Sequence, residues 1–316
     1  MLKLSCLFVV LFVILSFSEE NAPVAVITAI EGDVRICRYV SGECTTAVLE
    51  SQIFLSDSLI TSENSEVTVI YSDGKLASFG SNTGVKIVPP AGTIQRGDKT
   101  DEKTDEITSV LSPLFAFSAA GERTGVKILV RGEEDSLSLK IYQPGNTALS
   151  INKPDIIWSK FANELSYDII IQKMGSVIWQ KTSTDTFLKY PEDIPELAPG
   201  SYLLKVIALK GNDTLNSAER FFKVLKFEIV SEIEKALESI KKQNPDSFTL
   251  HFLSARIYEE RGLVLDAIRE YEQLIRIKPD EPLLHKSLSI LYNKYGLIEL
   301  GNKHLDQFEA LTEKKK

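Results

Sequence analysis

The sequence is poor in the side chains that carry acid–base, redox and metal chemistry near neutral pH. Its 316 residues include three His, three Cys and two Met. Basic residues number 36 against 44 acidic ones, so the chain lacks the concentrated positive charge that displaces counterions from nucleic acid. Nucleophile-elbow, zincin, P-loop and paired-Cys metal patterns are also missing. We therefore predict no catalytic residue, no cofactor or metal site and no nucleic-acid partner.

Long apolar runs are missing as well, apart from one at the N-terminus. Residues 1–18 read MLKLSCLFVVLFVILSFS, with Lys3 ahead of an apolar core and a small–large–small tripeptide at the end. This layout is typical of a secretory signal peptide cleaved after Ser18. The apolar run is shorter than the roughly 20 residues of a transmembrane helix, although a retained anchor is the alternative. We expect an exported protein, periplasmic or extracellular, with no transmembrane segment in the mature chain.

Export changes how the cysteines are interpreted. Cys6 would leave with the signal peptide, so Cys37 and Cys44 remain, separated by a turn signal at Ser41 and Gly42. The two positions suit facing residues of a hairpin, and an oxidising compartment would allow a disulfide. Their spacing excludes a CxxC redox centre, and a zinc site would need further ligands nearby. A structural disulfide is the favoured interpretation, with two buried thiols as the alternative.

Residues 22–90 alternate short apolar runs with polar turns, which is typical of a compact all-β domain. Predicted strands lie at 24–30, 34–37, 46–49, 58–61, 66–71, 75–79 and 84–88. The opening IEGDVRI and the stretch LSDSLITSENSEVTVIYSDGKLASFGSNTGVKI resemble the FecR-like extracytoplasmic β domain. In that family a cytoplasmic segment and a transmembrane helix contact a sigma factor. We expect neither segment here, so the resemblance implies only the fold.

Residues 91–124 are predicted to be a linker. The charged run GDKTDEKTDE (97–106) is typical of solvated chain, and apolar residues at helical spacing after it predict a short amphipathic helix. The run lacks the alternate-position ligands and central Gly of a calcium-binding loop.

Strand patterns return in residues 125–225. Predicted strands lie at 126–130, 137–142, 155–158, 167–172, 176–181, 186–190, 202–209 and 219–225. The segments PDIIWSK, SYDIIIQKMGSVIWQKTSTDTFLKYP and PGSY, in that order, resemble a fibronectin type III or immunoglobulin-like β sandwich. Trp158 and Trp179 lie in strand patterns, so we expect core residues instead of ligand platforms.

From residue 226 the apolar period becomes helical and the chain repeats at a 34-residue offset. The aligned pairs include His251/His285, Tyr258/Tyr292 and Gly262/Gly296. This period, with Ala, Tyr, Gly, Ala, aromatic and Pro in order, resembles the tetratricopeptide repeat (TPR). The residues that carry the pattern are Ala255, Tyr258, Gly262, Ala267, Tyr271, Pro279, Tyr292 and Gly296. The resemblance predicts TPR hairpins in residues 226–313, as a partial repeat at 229–246 and full repeats at 248–281 and 282–313.

The spacing of these residues has a physical basis. Small Ala255 and Ala267 allow two helices of a hairpin to approach closely, Gly262 accommodates the turn, and Pro279 ends the second helix. The second copy has Gly301 where the family has Ala, which should weaken its helix by about 1 kcal/mol.

Two and a half repeats are too few to bury every apolar face, since about three are usually needed. Leu300 and Leu311 lie on the last predicted helix, with nothing predicted to pack on them. We expect the array to be completed by docking on the β sandwich, by self-association or by a partner helix or peptide.

The fold class predicted is therefore multidomain α+β: a FecR-like β domain, a fibronectin- or immunoglobulin-like sandwich and all-α TPR hairpins. The favoured function is a non-catalytic extracytoplasmic scaffold or adaptor that binds a protein or peptide at the array. A cell-wall or polysaccharide binding module is the alternative. A carboxylate-based hydrolase is less favoured, and the three His (251, 285 and 304) are expected to pack within the array.

Overall fold

The structure, a computed structural model, describes residues 22–88 and 138–314. The predicted signal peptide, the linker at 91–124 and the predicted strand at 126–130 lie outside the described residues. Within them, β-sheets come first and a helical region follows, so the expected α+β order is confirmed. The domain bounds themselves stay predictions. In these same two ranges, no helix combines the length and apolar character that a bilayer crossing requires.

The first β unit (residues 22–88) contains two four-stranded sheets. Its strands are β1 Ala25–Glu31, β2 Val34–Cys37, β3 Cys44–Thr46, β4 Gln52–Ile53, β5 Ser58–Thr61, β6 Glu66–Tyr71, β7 Leu76–Phe79 and β8 Gly84–Lys86. They form sheets in the orders β4-β1-β6-β7 and β3-β2-β5-β8. The residues between the sheets, such as Ile27, Ile36 and Leu59, are fully buried. Alternation along each strand therefore sets this core.

Three strands of this unit, at 34–37, 58–61 and 66–71, have the bounds predicted from alternation. The strand predicted at 46–49 is wrong, because β3 ends at Thr46 and Leu49 lies in a loop. Leu49 is buried all the same, by packing against helices instead of within a sheet. The residues that bury Leu49 lie far away in the sequence, so the alternation of apolar and polar residues around it could not predict this contact.

The second β unit (residues 138–225) also has two sheets. Its strands are β9 Ile141–Gln143, β10 Thr147–Leu149, β11 Ile156–Trp158, β12 Ser166–Lys173, β13 Ser176–Ser183, β14 Phe187–Leu188, β15 Gly200–Lys210 and β16 Asp213–Val224. They form the orders β14-β11-β9 and β10-β16-β15-β12-β13. Trp158 and Trp179 are 2% and 8% exposed, which confirms both as core residues. The short β10, which pairs parallel with β16, was not predicted.

The helical array (residues 227–314) follows β16 directly. Its helices are α1 Phe227–Lys242, α2 Ser247–Glu260, α3 Val264–Ile277, α4 Pro282–Tyr295 and α5 Ile298–Lys314. The Asp246 side chain caps α2 by accepting the Thr249 N–H, and Pro282 opens α4. The turns after α2 and α4 contain Gly262 and Gly296 at φ 74° and 100°, a left-handed backbone that favours Gly. The two hairpins α2–α3 and α4–α5 are thus set by local sequence.

Candidate functional site

Cys37 and Cys44 lie opposite each other on β2 and β3 and form a disulfide, with 1.94 Å between the sulfur atoms. They close residues 38–43, which we call the disulfide tip. The disulfide joins two strands of the first β unit.

The disulfide tip is held at its base by a buried carboxylate. Asp57 accepts hydrogen bonds from the Arg38 guanidinium (2.7 Å) and from the Tyr39 N–H (3.0 Å). Backbone hydrogen bonds between Arg38 and Glu43 and between Gly42 and Arg38 close the turn. Tyr39 and Val40 nevertheless remain 66% and 88% exposed at its apex. A constrained loop that displays two apolar side chains loses little conformational entropy on binding.

The residues that carried the repeat pattern are packing residues in the structure. Ala255 and Ala267 are fully buried, Tyr271 and Tyr292 are buried, and Tyr258 is half-buried. Gly262 and Gly296 lie in the hairpin turns, and Pro279 follows the end of α3. Tyr271 also lines a small cavity beside Arg256 and Leu284, and the others lie at packing positions or in turns.

The inner face of the array is formed by α2 and α4. The first β unit covers it along α2, and a cavity of about 100 Å³ remains between Glu50 and α4. Val26 on β1, its strand partner Ile70 and the loop residue Leu49 belong to the same buried cluster as Phe252 and Leu284. β1 and β6 are therefore buried on both faces, one against the other sheet and one against helices. Along α2, the face that we expected to receive a peptide is occupied by another part of the same chain.

A charged cluster lies at the centre of this contact. Arg256 is 7% exposed and forms ion pairs with Glu259 at 2.9 Å and with Glu50 at 3.5 Å. Tyr271 donates its hydroxyl to Glu259 at 3.1 Å. Burial by itself would lower the pKa of Arg256, but Tyr271, Glu50 and Glu259 raise it, so the guanidinium stays charged. A buried charge of this kind is stable only while its partners remain in place.

Two further polar contacts hold the first β unit to the array. The Gln243 side chain donates to the Gly74 carbonyl at 2.8 Å and accepts the Leu76 N–H at 2.9 Å. The Lys278 ammonium donates to the Ile30 carbonyl. Because Gln243 satisfies both a donor and an acceptor at the β6–β7 turn, it fixes the orientation of the turn as well as its position.

The second β unit docks on the turns of the same hairpins. The Ala148 N–H donates to the Gly262 carbonyl at 2.8 Å, and the Asn146 N–H donates to the Tyr295 carbonyl at 3.1 Å. The Thr147 hydroxyl accepts the Val264 N–H at 2.9 Å. Both β units thus contact the helical array at different faces, and the expected docking of the array on the β sandwich is present.

The end of the array differs from the expectation of an uncovered apolar face. Leu300 is 40% exposed, but Leu311 is half-buried and the rest of the outward side of α5 is largely polar. A helix with a polar outer side can end a stack of hairpins without a partner. Leu300 is therefore uncovered as expected, whereas Leu311 is partly covered, so the apolar surface left on α5 is smaller than the sequence indicated.

Gly301 is buried where α5 crosses α4. A Cβ at this position would lie 2.4 Å from Oδ1 and 2.6 Å from Cγ of Asn293. Neither polar atom of the Asn293 amide has a hydrogen-bond partner within the described part of the chain. The glycine thus leaves room for the Asn293 amide, a contact that the sequence did not reveal.

Gly301→Ala should lower the free energy of unfolding by about 1–3 kcal/mol, because the new methyl group overlaps the Asn293 amide. Helix propensity alone predicts the opposite, a gain of about 1 kcal/mol. Urea unfolding followed by far-UV circular dichroism measures the difference. The matched control is Gly301→Ala combined with Asn293→Ala, which should recover the lost stability. If the single variant is the more stable protein, the close contact is wrong.

The sequence reasoning missed Arg256 and Glu50. A signal for the first was present, since Phe252, Arg256 and Glu259 recur at helical spacing on one face of α2. Glu50 carried no such signal, because it meets Arg256 only through tertiary packing. Among residues 22–88 and 138–314, no group of three or more His, Cys, Asp or Glu side chains is placed to hold a metal ion.

No protein-family model matches the chain, and no curated protein matches it. The chain is similar to several solved structures, of which two are described here. A "cell surface anchoring domain" has 23% identity and a TM-score of 0.20, and the match covers 20% of this chain and 83% of that one. The fibronectin(III)-like modules of Clostridium thermocellum CbhA have 12% identity and a TM-score of 0.20, and the match covers 66% of this chain and 80% of theirs.

Proposed function

We propose that the protein is a non-catalytic, extracytoplasmic scaffold whose helical array fixes two β units and so presents the disulfide tip to a protein partner. The observation that carries the proposal is the buried cluster shared by Leu49, Phe252 and their neighbours. Large apolar contacts between domains hold them in a fixed relation. A disulfide between Cys37 and Cys44 forms and persists in an oxidising compartment outside the cytosol.

The proposal also covers the domain families of the three parts of the chain. The α2–α3 and α4–α5 hairpins are proposed to be TPR hairpins, which the 34-residue offset and buried Ala255 and Ala267 support. The first β unit is proposed to be FecR-like and the second fibronectin- or immunoglobulin-like, on the residue patterns given above. In this array the α2 side of the inner face packs on the molecule's own first β unit, so the partner is proposed to bind elsewhere.

The disulfide tip is the surface proposed for that partner. Tyr39 and Val40 supply an aromatic and an aliphatic anchor, residues that often dominate binding energy when they enter a pocket. The Lys86 ammonium lies 4.8 Å from the centre of the Tyr39 ring and adds positive charge beside it. Glu43 of the tip is exposed as well, so the complementary surface is an apolar pocket with a rim of mixed charge.

A photoreactive amino acid at position 40 should crosslink the partner in intact cells, whereas the same group at position 174 should not. Met174 is the matched control because it is also highly exposed, at a turn of the second β unit. Tyr39→Ser should lower the yield of the adduct about tenfold, as for loss of a binding hot spot. Mass spectrometry of the adducts provides the measurement.

Equal adducts at positions 40 and 174, or a yield that Tyr39→Ser leaves unchanged, would contradict the proposed role of the tip. A cell-wall polymer is the alternative ligand. Sedimentation of the purified protein with insoluble wall material, with and without Tyr39→Ser, separates the two: wall binding without a protein adduct would favour the polymer.

A further inference from the structure

The sheet face that packs on the array continues beyond the helices that cover it. On this face of β1 and β6, the residues that pair across the strands are Val26 and Ile70, then Ala29 and Thr68, and finally Glu31 and Glu66. The first pair is buried in the cluster shared with α2, whereas the last pair is exposed. The contact between the first β unit and the array therefore ends in a groove with two glutamates at its rim.

The groove has a volume of about 280 Å³ and two walls of different chemistry. The array supplies an apolar wall, formed by Phe248 at the start of α2 and by Ile277, which is 43% exposed at the end of α3. The sheet supplies Ala29 as an apolar floor and the carboxylates of Glu31 and Glu66. Because these walls belong to distant segments of the chain, the groove exists only when the first β unit is packed on the array.

The charges of the groove are not balanced. Glu31 and Glu66 lie directly opposite each other on β1 and β6, and opposed like charges on neighbouring strands destabilise a sheet. Among residues 22–88 and 138–314, neither carboxylate forms an ion pair or a hydrogen bond with another group. The groove as a whole is lined by three carboxylates, the third being the Asp246 cap of α2, and by one ammonium group, that of Lys278.

Lys278 shows what kind of side chain this groove accepts. Its ammonium donates to the Ile30 carbonyl and lies 4.9 Å from the centre of the Phe248 ring, which is the geometry of a cation–π contact. Its charge is thus directed at a carbonyl oxygen and an aromatic ring, and the two opposed glutamates are left without a cation. A second cation on an apolar stem would complete the groove.

We propose that this groove, which we call the glutamate groove, is a second interaction surface that receives a Lys or Arg side chain of a partner protein. The cation binds between Glu31 and Glu66, and its stem packs on Phe248. An aliphatic residue next to it in the partner covers Ile277. Lys and Arg match this combination because they bury an apolar stem while the charged end stays in a polar environment.

The glutamate groove is separate from the disulfide tip. The glutamates lie on the sheet β4-β1-β6-β7, whereas the tip joins β2 and β3 of the other sheet. Binding at one surface can therefore be removed without altering the other. Tyr39→Ser should leave binding at the glutamate groove unchanged, so failure of this inference and failure of the role proposed for the tip are distinguishable.

Fluorescence anisotropy with the full chain tests the glutamate groove. The probe is a fluorescein-labelled peptide amide, Ser-Leu-Lys-Leu-Ser, and the matched probe carries norleucine in place of Lys, which keeps the apolar stem and removes the charge. The Lys peptide should bind about tenfold more tightly, as for a hydrogen-bonded charged group. Added salt should weaken the binding of the Lys peptide and not that of the norleucine peptide, because salt screens exposed charges.

Glu66→Gln is the decisive variant because it should change binding and stability in opposite directions. Affinity for the Lys peptide should fall about tenfold, whereas the midpoint of urea unfolding should rise, since the repulsion from Glu31 is removed. A merely structural role for Glu66 would not produce this combination. Glu63→Gln is the matched control, because Glu63 is also exposed but does not line the groove, and its affinity should equal that of the parent.

Equal affinity for the Lys and norleucine peptides overturns the inference. So does a Glu66→Gln variant that binds the Lys peptide as tightly as the parent protein does. Sedimentation velocity of the free proteins checks for a different occupant. A dimer that is present in the parent and lost in Glu66→Gln would assign the groove to a second copy of the chain, and would overturn the inference as well.

Discussion

Arg256→Ala is expected to lower the free energy of unfolding by about 3–5 kcal/mol, because it removes the cation from a buried charged cluster. Glu259 and the Tyr271 hydroxyl would remain packed against each other, and Glu50 would face the array without its ion partner. Glu259 and Glu50 are 21% and 41% exposed, so water partly compensates them, and the cavity left by the buried Arg256 side chain adds to the loss. Urea unfolding monitored by circular dichroism of the helices measures the loss.

Arg261→Ala is the matched control for this experiment. Arg261 follows α2 and pairs with Glu232 at 3.5 Å on a more exposed surface. Exposed ion pairs contribute little, so this variant should lose less than about 1 kcal/mol. If the two alanine variants are equally stable, the first β unit does not depend on Arg256 for its position on the array.

Gly145→Ala should destabilise the protein by about 3 kcal/mol and uncouple the second β unit from the array. A Cβ here would lie 2.6 Å from both the backbone oxygen and the ring of Tyr295. A backbone carbonyl cannot rotate away as a flexible side chain can, so the two segments must separate. Among the described residues, Trp is confined to the second β unit. Trp fluorescence therefore reports on the unfolding of that unit, and circular dichroism of the helices reports on the unfolding of the array.

In the parent protein the fluorescence and circular dichroism transitions should coincide, and in Gly145→Ala they should separate. Gly84→Ala is the control, since a Cβ at that position meets nothing within 4 Å, and its stability should change by less than about 0.5 kcal/mol. Coincident transitions and unchanged stability in Gly145→Ala would contradict the docking of Asn146 and Ala148 on the hairpin turns.

Sequence patterns predicted those helices and strands well that are determined by residues close together in the sequence. Alternation located β2, β5 and β6, and the helical period located the hairpins with their turns at Gly262 and Gly296. Contacts between distant segments were not predictable in the same way. Leu49 looks like a strand residue in sequence, yet it is buried by helices formed about 200 residues later.

The run AVITAI of β1 did carry a signal of this contact. A strand that is apolar without alternation is buried on both faces, and β1 is covered by a sheet on one side and by helices on the other. The covering partner could not be named from sequence. Of the candidate site, the cysteine pair was therefore predictable, whereas the pairing of Arg256 with Glu50 required the folded structure.

The bond from Lys278 to the Ile30 carbonyl joins residues 248 positions apart, which has a consequence for biogenesis. Synthesis proceeds from the N-terminus, so Val26, Leu49 and Ile70 are made long before the helices that cover them. Their apolar side must remain uncovered until translation is nearly complete, and late long-range closure exposes a chain to aggregation. A nascent chain stalled before α2 would therefore be the species that most needs a chaperone.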